Sequence, residues 1–475
     1  MTQEYLDQKL KSYDKTEMYP FHMPGHKRKG KGELDAFSLD ITEIEGFDNL
    51  HHAQGILKEA QQRTAKLYGA EESFFLVNGS TVGILAAISA TTEKGDKILM
   101  ARNSHKSVYN AVFLRELTAA YLYPQITHEG IQSAITPEEV EKALEENPDA
   151  KAVLITSPTY DGVVSDIGKI AELAHGKGIP LIVDEAHGAH LGFSEGFPKS
   201  ALQMGADIVI QSMHKTLPAL TQSALLHIGS GRVNRENVQK YLSIYQTSSP
   251  SYVLMSSMDF CNRLLKTKGK ELFEAYEMRM EKFRGEMKSL RHLRLLTKEE
   301  LLRQGAYDVD MSKLLIYTGK SRISGEELSG ILRERYQLEL EMASAYYALA
   351  MTSIMDEEEA YRRLAKALKE IDTEMSPGHP KDVKSSMEAF YGKKDVVCPV
   401  FEAEKKPKKS LLLSEAEGET AADYVYLYPP GIPVLVPGER IERELLEALE
   451  ESRKKQLNLC GLLGKANERI NVVIF

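Results

Sequence analysis

Lys215 is the residue with the clearest chemical potential, and it lies in a polar segment, residues 211–218, directly after a short apolar run, residues 206–210. Such a run is typical of a buried strand, and α/β folds place their chemistry at the carboxyl ends of strands. Upstream, Asp184 ends another apolar run, and its separation from Lys215 leaves room for one helical crossover. A lysine amine can hold pyridoxal phosphate as a Schiff base while a carboxylate keeps the pyridine nitrogen protonated. Lys215 and Asp184 therefore predict a pyridoxal phosphate site.

A phosphate cup is predicted where residues 78–81 join a strand, residues 73–77, to an apolar helix, residues 82–90. A polar turn in this place directs backbone N–H groups and hydroxyls at one point, and the helix N-terminus adds partial positive charge. The candidates for phosphate contact are Ser80, Thr81, Ser212 and His214. The alternative is an ordinary helix cap by Ser80 or Thr81.

His105 is the candidate for covering the cofactor ring. It follows a predicted strand, residues 97–100, at the start of a helix for which Ser104 is the expected N-cap. An imidazole in this place could stack on a planar ring, or it could equally be a capped surface side chain.

Strands and helices alternate through the first half of the chain, which predicts a mostly parallel sheet with right-handed crossovers. In such a sheet the loops at the carboxyl ends of the strands converge on one crevice. Five polar clusters follow successive predicted strands, at residues 78–81, 103–105, 157–161, 184–187 and 212–215. A turn or cap explains any one of them, but five together favour a single site.

The sequence also predicts how the chain is divided into domains. We expect an N-terminal arm at residues 1–20 with a short amphipathic helix, and a major domain at 21–300. A small α+β domain is expected at 301–376 and a C-terminal domain at 377–475, with a linker at 377–381. Within the last domain we expect a solvated loop at 405–409 and a bulged or edge strand within 424–439, because prolines interrupt its alternation.

Bulk properties exclude several classes of protein. The formal net charge of −9 disfavours nucleic acid as a main partner. The three cysteines show neither metal spacing nor a disulfide framework, which indicates reduced thiols and a cytoplasmic location. The first residues have no apolar signal core, and no apolar run reaches the roughly 18 residues of a membrane helix.

On its motifs, the chain resembles the fold-type I ornithine/lysine/arginine decarboxylases. The matching segments are residues 21–27, 40–43, 78–81, 102–107, 157–162, 184–188, 212–215, 248–252, 428–433 and 437–439. The resemblance implies an aspartate aminotransferase-like large domain that binds pyridoxal phosphate, with smaller α+β units after it. It further implies a homodimer with active sites at the interface, where Thr247 and Ser248 reach the neighbour's phosphate; a tetramer is the alternative. Ala186 and His187 would then lie close to the cofactor.

The N-terminal wing domain of the acid-stress members is expected to be missing, since the first matching motif begins at Phe21. Members of the family with the wing build large rings with it. We therefore expect a dimer or tetramer with a biosynthetic role.

The resemblance implies decarboxylation of a basic amino acid, with Lys215, Asp184, His214 and His105 as catalytic residues. Arginine, converted to agmatine for polyamine synthesis, is the first choice of substrate, followed by lysine and then ornithine. A cationic side chain needs acidic partners. The candidates are Asp161 and the acids near Glu415, Glu417 and Glu419, and a solvated acidic loop is the alternative for them. An aminotransferase or a non-catalytic pyridoxal phosphate-binding protein are the other functions considered.

Overall fold

The computed structural model describes residues 15–29, 36–319, 321–376, 378, 383–427, 431–454 and 459–475. Most of the helix predicted within residues 1–20 and most of the linker predicted at 377–381 fall outside these ranges. The same is true of residues 428–430, at the start of one matching motif.

The strands, in chain order, are β1 (Tyr19–Phe21), β2 (Glu72–Leu76), β3 (Lys97–Ala101), β4 (Thr118–Leu122), β5 (Ala150–Thr156), β6 (Val163–Val164), β7 (Leu181–Asp184), β8 (Ile208–Gln211), β9 (Ala224–Ile228), β10 (Arg294–Leu295), β11 (Asp308–Val309), β12 (Lys313–Tyr317), β13 (Leu338–Leu340), β14 (Met342–Ala343), β15 (Tyr347–Met351), β16 (Lys408–Leu412), β17 (Val425–Leu427), β18 (Pro433–Leu435), β19 (Leu459–Cys460) and β20 (Arg469–Val473).

The helices are Ala36–Leu39, Ile56–Tyr68, Gly79–Thr91, Lys106–Leu114, Pro137–Glu146, Ile167–Gly176, Met213–Thr216, Arg235–Tyr245, Tyr252–Met287, Lys298–Leu302, Gly325–Tyr336, Glu358–Glu374, Val383–Tyr391, Val400–Lys405 and Arg443–Lys454, with 3-10 turns at Leu50–His52 and Leu413–Glu415. None of the helices among the described residues combines the length and apolar character that a membrane crossing requires.

A seven-stranded sheet forms the centre of the fold, in the order β2-β9-β8-β7-β5-β3-β4. The strands from β8 to β4 pair in parallel, and β9 is antiparallel to both of its neighbours. The predicted mostly parallel sheet is therefore confirmed. Helices cover both faces because the strands are apolar on both sides, as in Leu181–Asp184, where every residue is buried. All five polar clusters consequently follow strand ends at one edge of the sheet.

A smaller antiparallel sheet, β10-β12-β15-β14, lies beside the large one and confirms the predicted α+β character of this region. Its helix Gly325–Tyr336 begins with a reciprocal cap between Ser324 and Glu327, which satisfies two otherwise unpaired backbone donors. The first strand of the chain, β1, pairs in parallel with β13. Residues 19–21 are thus part of this unit, although the predicted boundary assigns residues 19 and 20 to an arm.

The C-terminal region contains the sheets β16-β20 and β18-β17-β19. The solvated loop predicted at 405–409 is wrong in part, because Lys408 and Lys409 begin β16 with exposed side chains on its surface. The expected single bulged strand within 424–439 is instead the pair β17 and β18, with the bulge at Val425 and Tyr426. Proline removes a backbone donor, which explains why the alternating pattern is divided between two strands.

Arg102 and Glu439 join the central sheet to the C-terminal region. Both side chains are buried, at 3% and 1% exposure, and they form two parallel hydrogen bonds of 3.0 Å. Arg102 also donates to the carbonyl oxygen of Pro433 at 2.7 Å. These contacts leave few donors of the buried guanidinium unpaired, which is the condition under which a buried ion pair is tolerated.

We predict that Arg102→Met or Glu439→Leu alone lowers the free energy of unfolding by about 3–5 kcal/mol, because each leaves an unpaired buried charge. The double variant should recover most of this loss. Arg440→Ala, which removes an exposed ion pair with Asp395, is the matched control and should cost less than about 1 kcal/mol. Denaturant unfolding measures all four, and single variants no less stable than the control would contradict the prediction.

Candidate active site

Lys215 lies in the short helix that directly follows β8. Its side chain is half-buried, and Nζ lies 3.1 Å from Nε2 of His187. Desolvation lowers the pKa of Lys215, while the nearby carboxylates of Asp184 and Glu341 act in the opposite direction. A lysine whose pKa is lowered has a larger neutral, nucleophilic fraction at neutral pH.

Asp184 ends β7 and is 3% exposed. One carboxylate oxygen accepts a 3.1 Å hydrogen bond from the backbone N–H of Ala186. Burial raises the pKa of Asp184, and the charge of Lys215 opposes this. No cation of the described residues lies within ion-pair distance of this carboxylate, so it has the capacity to bind one. A protonated pyridine nitrogen is such a cation, and Asp184 fits that part of the predicted cofactor.

The predicted phosphate cup begins at Gly79, where the helix Gly79–Thr91 starts. Asn78 is the N-cap residue, which corrects the alternative of a cap by Ser80 or Thr81; both lie in the first turn because the helix begins earlier than its apolar part. The hydroxyls of Ser80 and Ser212 are 2.6 Å apart, and Thr81 is exposed. Two hydroxyls beside the N-terminus of a thirteen-residue helix suit a phosphate.

Thr247 and Ser248 are exposed, and the backbone N–H of Thr247 donates to the side chain of Asn78 at 3.1 Å. The structure therefore brings this segment to the edge of the same chain's phosphate cup. Its predicted contact with a neighbouring chain stays a prediction.

His105, rather than the expected Ser104, is the N-cap residue of the helix Lys106–Leu114. Its Nδ1 accepts from the backbone N–H of Ser107 at 3.3 Å. The ring keeps an exposed surface, yet the surrounding protein and the charge of Lys215 lower its pKa. The ring thus caps a helix and keeps an exposed surface near Lys215, and its stacking on a cofactor ring stays a prediction.

His214 points its Nδ1 to the carbonyl oxygen of Ser223, 2.9 Å away. A carbonyl oxygen only accepts, so Nδ1 carries the proton and Nε2 is the free nitrogen. Desolvation lowers the pKa of His214, which favours a neutral ring. Contact with a phosphate oxygen would require a proton on Nε2 as well, and the negative charge of a phosphate would favour that protonation.

Lys313, Lys27 and Glu341 were not identified from the sequence. Lys313 begins β12 and is buried beside His187, while Lys27 donates to the carbonyl oxygen of Met351 at 2.8 Å. Glu341 accepts from the backbone N–H of Met23 at 2.8 Å. The one signal was Lys313 at the head of an otherwise apolar strand, since an unpaired lysine is rarely buried.

Asp161 is buried and accepts a 2.6 Å hydrogen bond from the hydroxyl of Tyr347. Burial raises its pKa to about 6, against the opposing effects of Tyr347 and Lys313. Glu417 is exposed in the C-terminal region, where Arg443 is its charged neighbour. Asp161 thus lies close to Lys313, which in turn lies beside His187 and Lys215. Among the described residues, no contact connects Glu417 with these groups.

Gly25 holds the N-terminal motif against the lysine segment. Its backbone N–H donates to the carbonyl oxygen of His214 at 2.8 Å. A Cβ atom at this position would lie 2.7 Å from the backbone of Thr216 and Leu217, closer than real contacts allow. The close packing of residues 21–27 against residues 212–217 therefore requires a residue without a Cβ atom at position 25.

We predict that Gly25→Ala displaces the lysine segment and lowers the free energy of unfolding by about 1–3 kcal/mol, with weaker retention of pyridoxal phosphate. Gly176→Ala is the matched control, because nothing lies within 4 Å of its Cβ position. Thermal unfolding and the absorbance of bound cofactor measure both effects. Equal behaviour of the two variants would contradict the close packing.

The open sheet, the smaller sheet beside it, and a lysine and an aspartate at adjacent strand ends define a fold-type I architecture. The chain is similar over 90% of its length to the solved lysine decarboxylase LdcF of Francisella novicida, with a TM-score of 0.77, 20% identity and 73% coverage of that chain. This likeness confirms the predicted fold class.

The pattern of the family described as "Orn/Lys/Arg decarboxylase, major domain" matches residues 5–309, and that of its C-terminal domain matches residues 400–462. An arginine decarboxylase of Halalkalibacterium halodurans is 37% identical, with 93% of this chain and 91% of the relative covered. An arginine decarboxylase of Bacillus subtilis is 35% identical, with 98% and 96% covered. The chain belongs to the Orn/Lys/Arg decarboxylase family, as its motifs predict.

Proposed function

We propose that this chain is a pyridoxal phosphate-dependent arginine decarboxylase that forms agmatine and CO₂ in polyamine synthesis. The observation that carries the proposal is the lysine–aspartate arrangement at the carboxyl edge of the sheet, in a member of a decarboxylase family. The choice of arginine is supported by the two relatives named arginine decarboxylase, each covered over more than nine-tenths of its length.

When bound, pyridoxal phosphate supplies an electron-accepting ring. Lys215 would hold its aldehyde carbon, and the buried carboxylate of Asp184 would hold a proton on its ring nitrogen. Ser80, Thr81 and Ser212, with the helix N-terminus at Gly79, would bind its phosphate. Ala186 and His187, which follow Asp184 directly, would lie next to the ring, with His105 covering it.

A proton must replace the lost carboxylate on the substrate Cα, and Lys215 is the better placed donor. Its amine becomes free when the substrate amine takes its place, and an amine can both take up and return a proton. His214 is the alternative, but its neutral ring has its only N–H directed at Ser223.

Asp161 is the candidate for binding the distal cation of the substrate, because a buried carboxylate attracts a guanidinium strongly. Lysine and then ornithine are the alternative substrates, since an ammonium could bind the same carboxylate. An aminotransferase would need an arginine for the substrate carboxylate, and the two most deeply buried arginines of the described residues are already bound within the protein. The buried Arg102 is bound to Glu439, and Arg284 donates to backbone carbonyl oxygens of Leu296, Met311 and Lys313.

We also propose a cytoplasmic homodimer with Thr247 and Ser248 at the shared active site. The cytoplasmic location is supported by Cys261, Cys398 and Cys460, none of which forms a disulfide within the described part of the chain. The dimer is supported by the exposure of both hydroxyl residues at the edge of the phosphate cup.

We predict that the purified chain with pyridoxal phosphate releases CO₂ and agmatine from arginine faster than it forms an amine from lysine or ornithine. Lys215→Ala should abolish both turnover and the absorbance of bound cofactor. Lys177→Ala, at an exposed helix end, is the control and should behave as the wild type. Keto acid in place of CO₂ would favour an aminotransferase, and the absence of any product would favour a binding protein.

We predict that KM for arginine rises about tenfold per pH unit below pH 6, because protonated Asp161 loses its charge. The pKa of Asp161 is raised, so its anion is present above pH 6 and is lost as the pH falls through this value. Tyr347→Phe removes a donor that lowers this pKa and should move the rise in KM to higher pH. An unchanged pH profile in Asp161→Asn would exclude Asp161 from substrate binding.

A further inference from the structure

Two lysines share one imidazole at the centre of the site. The Nζ atom of Lys215 lies 3.1 Å from Nε2 of His187, and the Nζ atom of Lys313 lies 3.4 Å from Nδ1 of the same ring. His187 and Lys313 are both buried. Within the described ranges, neither Nζ atom has a second hydrogen bond or an ion pair. Lys215, His187 and Lys313 therefore form a continuous chain of nitrogen atoms.

The chemistry of these groups limits how the protons are arranged. Burial and the two lysines hold the pKa of His187 well below its usual value, so the ring is neutral and carries one N–H. A lysine ammonium has no lone pair and can only donate. If Lys313 is charged, Nδ1 accepts a hydrogen bond from it and Nε2 carries the ring proton. Lys215 can then accept a hydrogen bond from Nε2–H only as a neutral amine.

Desolvation lowers the pKa of Lys313 to about 8 while the carboxylates of Asp310 and Glu341 oppose this, so Lys313 still carries its proton most of the time at neutral pH. Its carboxylate neighbour Asp310 accepts from Nε2 of His190 at 3.2 Å and from the backbone N–H of Ser312 at 3.0 Å. Burial alone would raise the pKa of Asp310, but His190 and Lys313 hold it below its usual value. The neighbour of Lys215, Asp184, has its pKa raised instead. Asp310 is thus the more firmly anionic of the two carboxylates.

The stem of Lys313 passes directly against Gly162. A Cβ atom at Gly162, which has a φ of +92°, would lie 2.7 Å from Cγ of Lys313. The glycine that ends the motif at residues 157–162 therefore leaves the space through which this side chain reaches His187.

We propose that Lys313 is a positioning residue that acts through His187 to keep Lys215 in its neutral, nucleophilic form. A proton from the Lys215 ammonium passes to Nε2 while the Nδ1 proton passes to the Lys313 amine, so the net charge of the three groups is unchanged. The proposal rests on the proposed function, because it assigns Lys215 the capture of an aldehyde.

Other charged groups act on the same chain and must be considered in its titration. Those near Lys313 are Asp310, Glu341, Asp161 and Lys27. Those near His187 are His105 and His214, and those near Lys215 are Asp184 and Glu341. The contact with His187 distinguishes Lys313 from Lys27, whose Nζ atom is bound to the carbonyl oxygens of His22 and Met351.

The test is the rate at which the cofactor-free full chain captures pyridoxal phosphate, followed by stopped-flow absorbance across pH. The rate follows the neutral fraction of Lys215. Lys313→Met should raise the midpoint of this profile by about one pH unit and slow capture at pH 7 about tenfold. Lys313→Arg, which keeps a permanent cation as the donor to Nδ1, should restore the wild-type midpoint.

Further variants separate the proposed role of Lys313 from a merely structural one. Lys27→Met removes a buried ammonium without touching His187 and should shift the midpoint less than half as far; an equal shift overturns the role of the contact. Slower capture at every pH with an unmoved midpoint would show a structural role only. If the Met variant does not fold, Lys313→Gln, which loses the charge, must raise the midpoint. No capture by the wild type would remove the proposed function itself.

Discussion

Adjacent parallel strands β7 and β8 place Asp184 and Lys215 side by side, and the rest of the site depends on this pairing. Asp184 is in register with Ile210, so the aspartate and the lysine segment leave the sheet at the same edge. Glu185 strengthens the junction, because its carboxyl group accepts from the Gln211 side chain at 2.6 Å and from the backbone N–H of Ala201 at 2.7 Å. Burial raises the pKa of Glu185 to about 8, so it links the strands without adding a charge at neutral pH.

The smaller sheet supplies the opposite side of the site. Lys313 begins β12 and Glu341 lies between β13 and β14, so residues far apart in sequence meet Lys215 only when the two sheets pack together. The N-terminal motif closes this junction, because Gly25 contacts the lysine segment and β1 pairs with β13. The N-terminal motif and the smaller sheet therefore meet the lysine segment at one crevice.

The sequence was sufficient to predict the parallel sheet, the five strand-end clusters and the lysine–aspartate pair, because local apolar runs and polar turns report them directly. It was not sufficient for Lys313 and Glu341, whose role comes from tertiary contacts between units. The N-cap residues of two helices also differ from the predicted ones. Asn78 and His105 stand where serine or threonine is expected, because a helix start depends on backbone geometry as well as on residue type. The distal substrate contact is the least determined part, since Asp161 has a protein partner in Tyr347 and Glu417 lies on the surface.

The identity of the lysine that carries the cofactor tests the central claim most directly. The purified chain is loaded with pyridoxal phosphate, the link is reduced with borohydride, and the modified peptide is identified by mass spectrometry. The structure predicts modification at Lys215, in the peptide that contains the short helix after β8. Modification at Lys313 or Lys27, which also lie near this site, or no modification at all, would contradict the account.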